Sequence, residues 1–198
     1  MKKFVLFACA LFLCGIANAQ SNKFEKNIEA NIGIGLDNCT NYSLGLNFIG
    51  GYRASNHFFI GAGIGYAYLD GLYYSSYEYL GKGNSDNYSS YDGRSNMQLF
   101  ARAKVNLTKT NVSPFLSLDL GGTFGLTSNS IKMANGFIYE PAFGCDFKFK
   151  DKGGMYVMIG YKGMQYSYRA FNLTYGDTSD ETRKKMAGMF NIHIGFKF

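Results

Sequence analysis

Tryptophan is absent from the 198 residues, proline occurs twice and histidine twice. With so little proline, nothing prevents long, uninterrupted strands. Beyond the first 20 residues no apolar run reaches the ~20 positions that a membrane-spanning helix needs, and no 3.6-residue period marks an amphipathic helix. Basic residues outnumber acidic ones by only six, and they are scattered, so no basic run offers a nucleic-acid surface. No His/Cys pair has ligand spacing, which leaves no metal site, and nothing calls for a cofactor. Of the four cysteines, Cys39 and Cys145 are all that remain once a leader is removed, too few for a disulfide framework.

The leader is MKKFVLFACALFLCGIANAQ. Two lysines precede an apolar run from Phe4 to Ile16, and Ala17-Asn18-Ala19 forms a small-residue cleavage site. That is the build of a secretory signal peptide, expected to be cut after Ala19. Cys14 is preceded by Leu13 rather than by the small residue usual before a lipidated cysteine. The division expected is a signal peptide at 1–19 and one domain at 20–198.

What is abundant is glycine, with 25 residues, and phenylalanine plus tyrosine, with 18 and 16. Aromatics favour strands, and a period of two runs through eight segments. Ile28, Ala30, Ile32, Ile34 and Leu36 alternate with Glu29, Asn31, Gly33 and Gly35. Equivalent runs begin at Tyr42, Phe58, Met97, Leu116, Phe137 and Val157, and the last is Phe190, Ile192, Ile194, Phe196 and Phe198 against Asn191, His193, Gly195 and Lys197. Each is about ten residues or longer, the length of a tilted strand crossing a bilayer and not the ~5–6 of a globular strand. Connections at 54–56, 108–113 and 151–154 are short; those at 69–95, 127–136 and 169–185 are long and polar. An even count with short turns at one end and long loops at the other is a membrane-barrel pattern.

Alternation alone leaves open whether the apolar face lines a soluble barrel or meets lipid. Glycine crowds the polar face, which suits a narrow lumen. Aromatics gather at segment ends as interfacial girdles do, with Tyr66, Tyr68, Phe137 and Tyr139 at one rim and Phe58, Phe147, Phe149, Phe196 and Phe198 at the other. The expected fold is therefore an all-β, eight-stranded antiparallel up-and-down transmembrane β-barrel. Signal peptide, eight segments and terminal Phe198 together resemble the small outer-membrane β-barrel proteins of the OmpA/OmpX or PorT-like kind. The resemblance implies a Gram-negative outer membrane, periplasmic termini, outer-membrane lipid around the wall, and a barrel-assembly machinery that reads Ile194, Phe196 and Phe198.

The inward register carries Glu29, Arg53, Arg102, Lys104, Asp119, Glu140, Asp146, Lys148, Lys162, His193 and Lys197. Buried charges must pair, since desolvating an unpartnered ion costs several kcal/mol. A turn centred near residues 110 and 111 sets Arg102 opposite Asp119. Around the next short turn, Asp146 is expected within diagonal reach of Lys162, with Lys148 beside them. The result is a polar plug of ion pairs in place of a hydrophobic core.

Three function classes follow. The first is a non-enzymatic surface protein, structural or binding an unidentified extracellular ligand through the loop at 69–95, where Tyr73, Tyr74, Tyr77, Tyr79, Tyr88 and Tyr91 stand among Ser, Asn and Gly. Tyrosine gives rigid amphipathic contact area at low entropy cost. The second is a narrow pore for water, ions or very small solutes. The third, a lipid-modifying enzyme, lacks its residues: resembling deacylases pair a His with a Ser two positions on, whereas His57 is followed there by Phe59 and His193 by Gly195. No catalytic residue is assigned. Glycines in Ile32-Gly33-Ile34-Gly35 and Gly61-Ala62-Gly63-Ile64-Gly65 lie inside strands with no helix after them, so they form no nucleotide-binding turn.

Overall fold

The computed structural model describes residues 23–36, 41–75, 77–78, 89–126, 136–149, 153–174 and 177–198, with the backbone alone at 71–75, 77–78, 89–94, 167–174 and 177–183. The expected signal peptide and Cys39 lie outside the described residues.

The period of two becomes nine strands: β1 (Phe24–Gly35), β2 (Tyr42–Arg53), β3 (Phe58–Ser75), β4 (Tyr77–Glu78), β5 (Ser89–Asn106), β6 (Val112–Gly125), β7 (Gly136–Lys148), β8 (Gly154–Thr174) and β9 (Asp177–Lys197). All but the two-residue β4 build one wall, in which every neighbour is antiparallel and follows in chain order. The wall closes because β1 pairs with β2 on one edge and with β9 on the other. Closure leaves no edge in the hydrocarbon, where an unpaired backbone group costs several kcal/mol. At the seam the Lys26 and Phe198 backbones exchange hydrogen bonds at 3.0 and 3.3 Å.

Exposure follows the alternation and is inverted relative to a soluble protein. At the end of the chain Ile194, Phe196 and Phe198 are 47, 55 and 63% exposed, while His193 just before them is fully buried. Ile32, Leu46, Ile60, Leu116 and Phe143 repeat this outward placement around the wall. An apolar exterior over a charged interior is stable only against lipid. On the outer face Phe137, Tyr139 and Tyr161 form a ladder of rings with centroids 6.2 and 6.1 Å apart. Tyr139 covers Gly163 and Tyr161 covers Gly188, where a Cβ would overlap the ring.

Two of the expected long loops are largely strand. β3 and β5 stay paired up to Ser75 opposite Ser89, with a register shift between Leu69 and Leu72. β8 and β9 stay paired up to Thr174 opposite Asp177. Apolar alternation stops where the bilayer stops, but the backbone ladder needs no lipid-facing side chains, and Tyr, Ser and Thr sustain it in water. The strand register left open after Lys162 simply continues: Met164 and Tyr166 are both buried on the inward face.

Candidate functional site: a filled lumen

Eight strands enclose a space just wide enough for side chains, and the ladder decides which of them share a level. Arg102 on β5 stands directly opposite Asp119 on β6, and Asp119 opposite Glu140 on β7. Glu29 on β1 faces Asn47 on β2 and Gly195 on β9.

These groups form one central layer. Arg102 Nε and Nη2 each donate to the Asp119 carboxylate at 2.7 Å, a bidentate pair. Its Nη1 donates to Glu29 at 2.6 Å across the lumen. Glu29 also accepts from the Tyr156 hydroxyl and from Asn47 Nδ2, both at 2.7 Å. His193 Nδ1 lies 2.9 Å from Glu29, and its Nε2 contacts Glu140. Glu140 accepts from Asn191 at 3.0 Å and sits 3.6 Å from Lys162 Nζ, which donates to Gln98 at 2.8 Å. Every polar group of this kind must find a partner or bear its full desolvation cost, and here the partners come from opposite sides of the barrel.

A second layer lies toward the short turns. Lys104 Nζ is 2.7 Å and Lys197 Nζ 3.1 Å from Asp146, which also accepts from Asn106 at 2.8 Å. The Lys104 ammonium lies over the rings of Phe115 and Tyr156, 3.9 and 4.7 Å from their centroids, a cation–π contact strengthened by desolvation. Nearer the rim, Arg53 holds Glu25.

Of the expected ion pairs, Arg102 and Asp119 are therefore in contact. Asp146 is not near Lys162 in this way: it is held by Lys104 and Lys197, while Lys162 is held by Glu140 and Gln98. The pairing of β7 with β8 sets Asp146 opposite Tyr156 and the half-exposed Lys148 opposite Gly154. That register puts Lys162 three inward positions above Asp146's partner Tyr156 on the same strand. The interior is also not wholly polar. Ile49, Phe59, Leu69, Phe100, Ile138, Met164, Tyr166 and Met189 form one buried apolar cluster, and Phe115, Ala142, Tyr156 and Met158 another. Glycines make the room: a Cβ at Gly63 would overlap the Phe100 ring, one at Gly144 the Phe115 ring, and one at Gly195 the Tyr156 ring.

Tyr156 was legible in principle, since it and Met158 hold the inward parity of the run that starts at Val157. Its hydroxyl's reach to Glu29 was not. Of the loop tyrosines, Tyr73, Tyr74, Tyr77 and Tyr91 are placed by their backbones, and Tyr77 pairs in parallel with Phe171. Tyr79 and Tyr88 lie outside the described residues. A shallow depression of about 520 Å³ lies on the lipid-facing wall beside Leu118, Pro141, Phe143 and Ile159, away from the charged groups. Among the described residues no group of His, Cys, Asp and Glu has the arrangement of a metal site.

No family model matches the chain, and no curated protein does. Among solved structures it is similar to outer membrane protein OprG from Pseudomonas aeruginosa, at 10% identity over 89% of this chain and 96% of that one, with a TM-score of 0.56. It is also similar to outer membrane protein AlkL, at 10% identity over 89% of each chain, with a TM-score of 0.50. At such identities the likeness is one of fold: the chain is folded as a small outer-membrane β-barrel.

Proposed function

We propose that this barrel is a non-enzymatic protein of the outer membrane whose lumen is plugged and whose contacts with partners lie at the long-hairpin end. The observation that carries the reading is Arg102, which binds Asp119 on the adjacent strand and Glu29 across the lumen at once. Such a strut bridges the space that a solute would have to cross, and the apolar cluster around Phe100, Ile138 and Met164 lies beside it. Opening a route means separating buried ion pairs, which costs several kcal/mol. The expected result in planar bilayers is no stable single-channel step; reproducible steps overturn the plug.

Support for a narrow water path comes from one feature. Three buried amide atoms, Asn27 Oδ1, Asn96 Nδ2 and Asn191 Oδ1, have no protein partner, and such groups are served by water. Stopped-flow shrinkage of proteoliposomes under an osmotic gradient separates the two readings: faster water efflux than in empty vesicles, without ion steps, favours the path. Catalysis finds little support in either histidine. His57 Nδ1 donates to the Asn106 carbonyl at 2.7 Å, and His193 is shut between two carboxylates.

The tyrosine-rich hairpin between β3 and β5 is the part proposed to meet an extracellular partner. Because Ser75 pairs with Ser89 and Tyr74 with Ser90, deleting residues 79–88, which removes Tyr79 and Tyr88, spares the ladder. Barrel assembly is expected to persist while any binding to intact cells or surfaces is lost; retained binding would move the contact elsewhere. Termini facing the periplasm place Phe198 at the inner interface, where the assembly machinery is proposed to read it. Removing Phe198 is expected to lower the amount of barrel inserted in cells, measured by outer-membrane fractionation, without changing refolding in detergent.

A further inference from the structure

We propose that His193 carries a proton on each ring nitrogen and that this imidazolium is the cation which makes the central layer of the lumen neutral. The inference deepens the plugged-lumen reading and rests on the same packing, but it concerns charge and not conduction. Its first premise is geometric. A neutral imidazole has one N–H and one bare nitrogen, and a bare nitrogen is an acceptor. Here both nitrogens face carboxylate oxygens, Nδ1 that of Glu29 and Nε2 that of Glu140. An ionised carboxylate only accepts. In a neutral ring the bare nitrogen would face an ionised carboxylate, acceptor against acceptor, in a site from which water is excluded, so with both carboxylates ionised each nitrogen must donate.

The second premise is charge. From β1, β6 and β7 the layer holds Glu29, Asp119 and Glu140, three carboxylates. Against them β5 and β8 supply Arg102 and Lys162. The polar groups that complete it are Tyr156, Asn47, Gln98 and Asn191, and they bring no charge. One cation is missing, and among the described residues His193 is the remaining basic group in contact with the layer. Lys104 is the nearest basic group of the layer below, but Asp146 holds it and the rings of Phe115 and Tyr156 lie against it. An uncompensated carboxylate in so buried a place is strongly unfavourable, and the proton on His193 removes it. Because Glu29 and Glu140 come from β1 and β7, with β9 and β8 between them, the imidazolium also ties together strands that share no backbone bond.

The test begins with the mature barrel refolded in detergent micelles and labelled with nitrogen-15 in histidine. His57, at the short-turn end, provides the second histidine signal in the same spectrum. At neutral pH both ring nitrogens of His193 are expected to give protonated-type resonances; a bare, pyridine-type nitrogen at His193 overturns the proposal. The charge argument has its own measurement. His193→Gln leaves the layer one negative charge in excess and is expected to lower the urea midpoint. Adding Glu140→Gln removes that excess and is expected to restore most of the loss, although it deletes a second native group. A double variant no more stable than His193→Gln overturns the charge balance. If His193→Gln fails to refold, recovery of folding in the double variant supports the proposal and continued failure counts against it. Neither measurement depends on whether the barrel conducts.

Discussion

Replacing Arg102 with Ala is expected to destabilise the barrel by about 3–5 kcal/mol, the usual result of removing one partner from a buried ion pair. Two carboxylates depend on this guanidinium, Asp119 through two bonds of 2.7 Å and Glu29 through bonds of 2.6 and 3.3 Å. Removing it leaves both in a lumen where Arg102 and Glu29 are almost wholly shielded from water. Asn47 and Tyr156 still donate to Glu29, so Asp119 loses more. The chain has no tryptophan, so unfolding is best followed by far-ultraviolet circular dichroism or by the gel-mobility shift of a heat-modifiable barrel in urea. A midpoint equal to that of the parent chain would show that the strut contributes nothing. Combining Arg102→Met with Asp119→Asn removes one charge of each sign, and it is expected to be less destabilising than Arg102→Ala alone, because Glu29 and Glu140 stay balanced by His193 and Lys162.

The second large effect is steric. Gly121→Ala adds a single methyl on β6, yet it is expected to cost about 1–3 kcal/mol, the range for overfilling a packed interior. A Cβ there would fall within 3.0 Å of the Leu99 carbonyl oxygen and of Phe100 Cα and Cβ. Two of these are backbone atoms of the adjacent strand, so no side-chain rotation relieves the overlap. Phe100 stands opposite Gly121 and fills the lumen above Arg102, which carries the displacement into the charged layer. Gly122 is the internal comparison. The nearest atom to its added Cβ is the Gly136 carbonyl oxygen, at 3.4 Å, and Gly122→Ala is expected to leave the urea midpoint nearly unchanged. Equal losses at both positions would count against the contact explanation, since the entropy change from glycine to alanine favours folding.

The contrast between neighbouring glycines shows where reading by pattern stops. A glycine on the inward face signals that room is needed, but not whose ring takes it. Phe100 beside Gly63, Phe115 beside Gly144 and Tyr156 beside Gly195 become pairs only through the offset between adjacent strands. Asp146 shows the same limit for charge. Its parity placed it in the lumen, but its partners are on β5 and β9, 42 and 51 positions away along the chain and brought close by closure. Arg102 and Asp119 were readable because a short turn joins their strands, and a hairpin's register can be counted from its turn.

Parity, segment length and turn spacing were set by the order of residues alone. A period of two assigns each side chain to a face whatever the rest of the chain does, and eight such segments with alternating short and long connections leave a closed antiparallel wall as the arrangement that pairs every strand. What only the tertiary structure decided is how high each inward group sits relative to those across the lumen. That height comes from strand tilt and stagger, which place Glu29 between Arg102 and His193, and His193 between Glu29 and Glu140. Contacts across a barrel depend on the sum of several registers, so a pattern read one strand at a time cannot contain them.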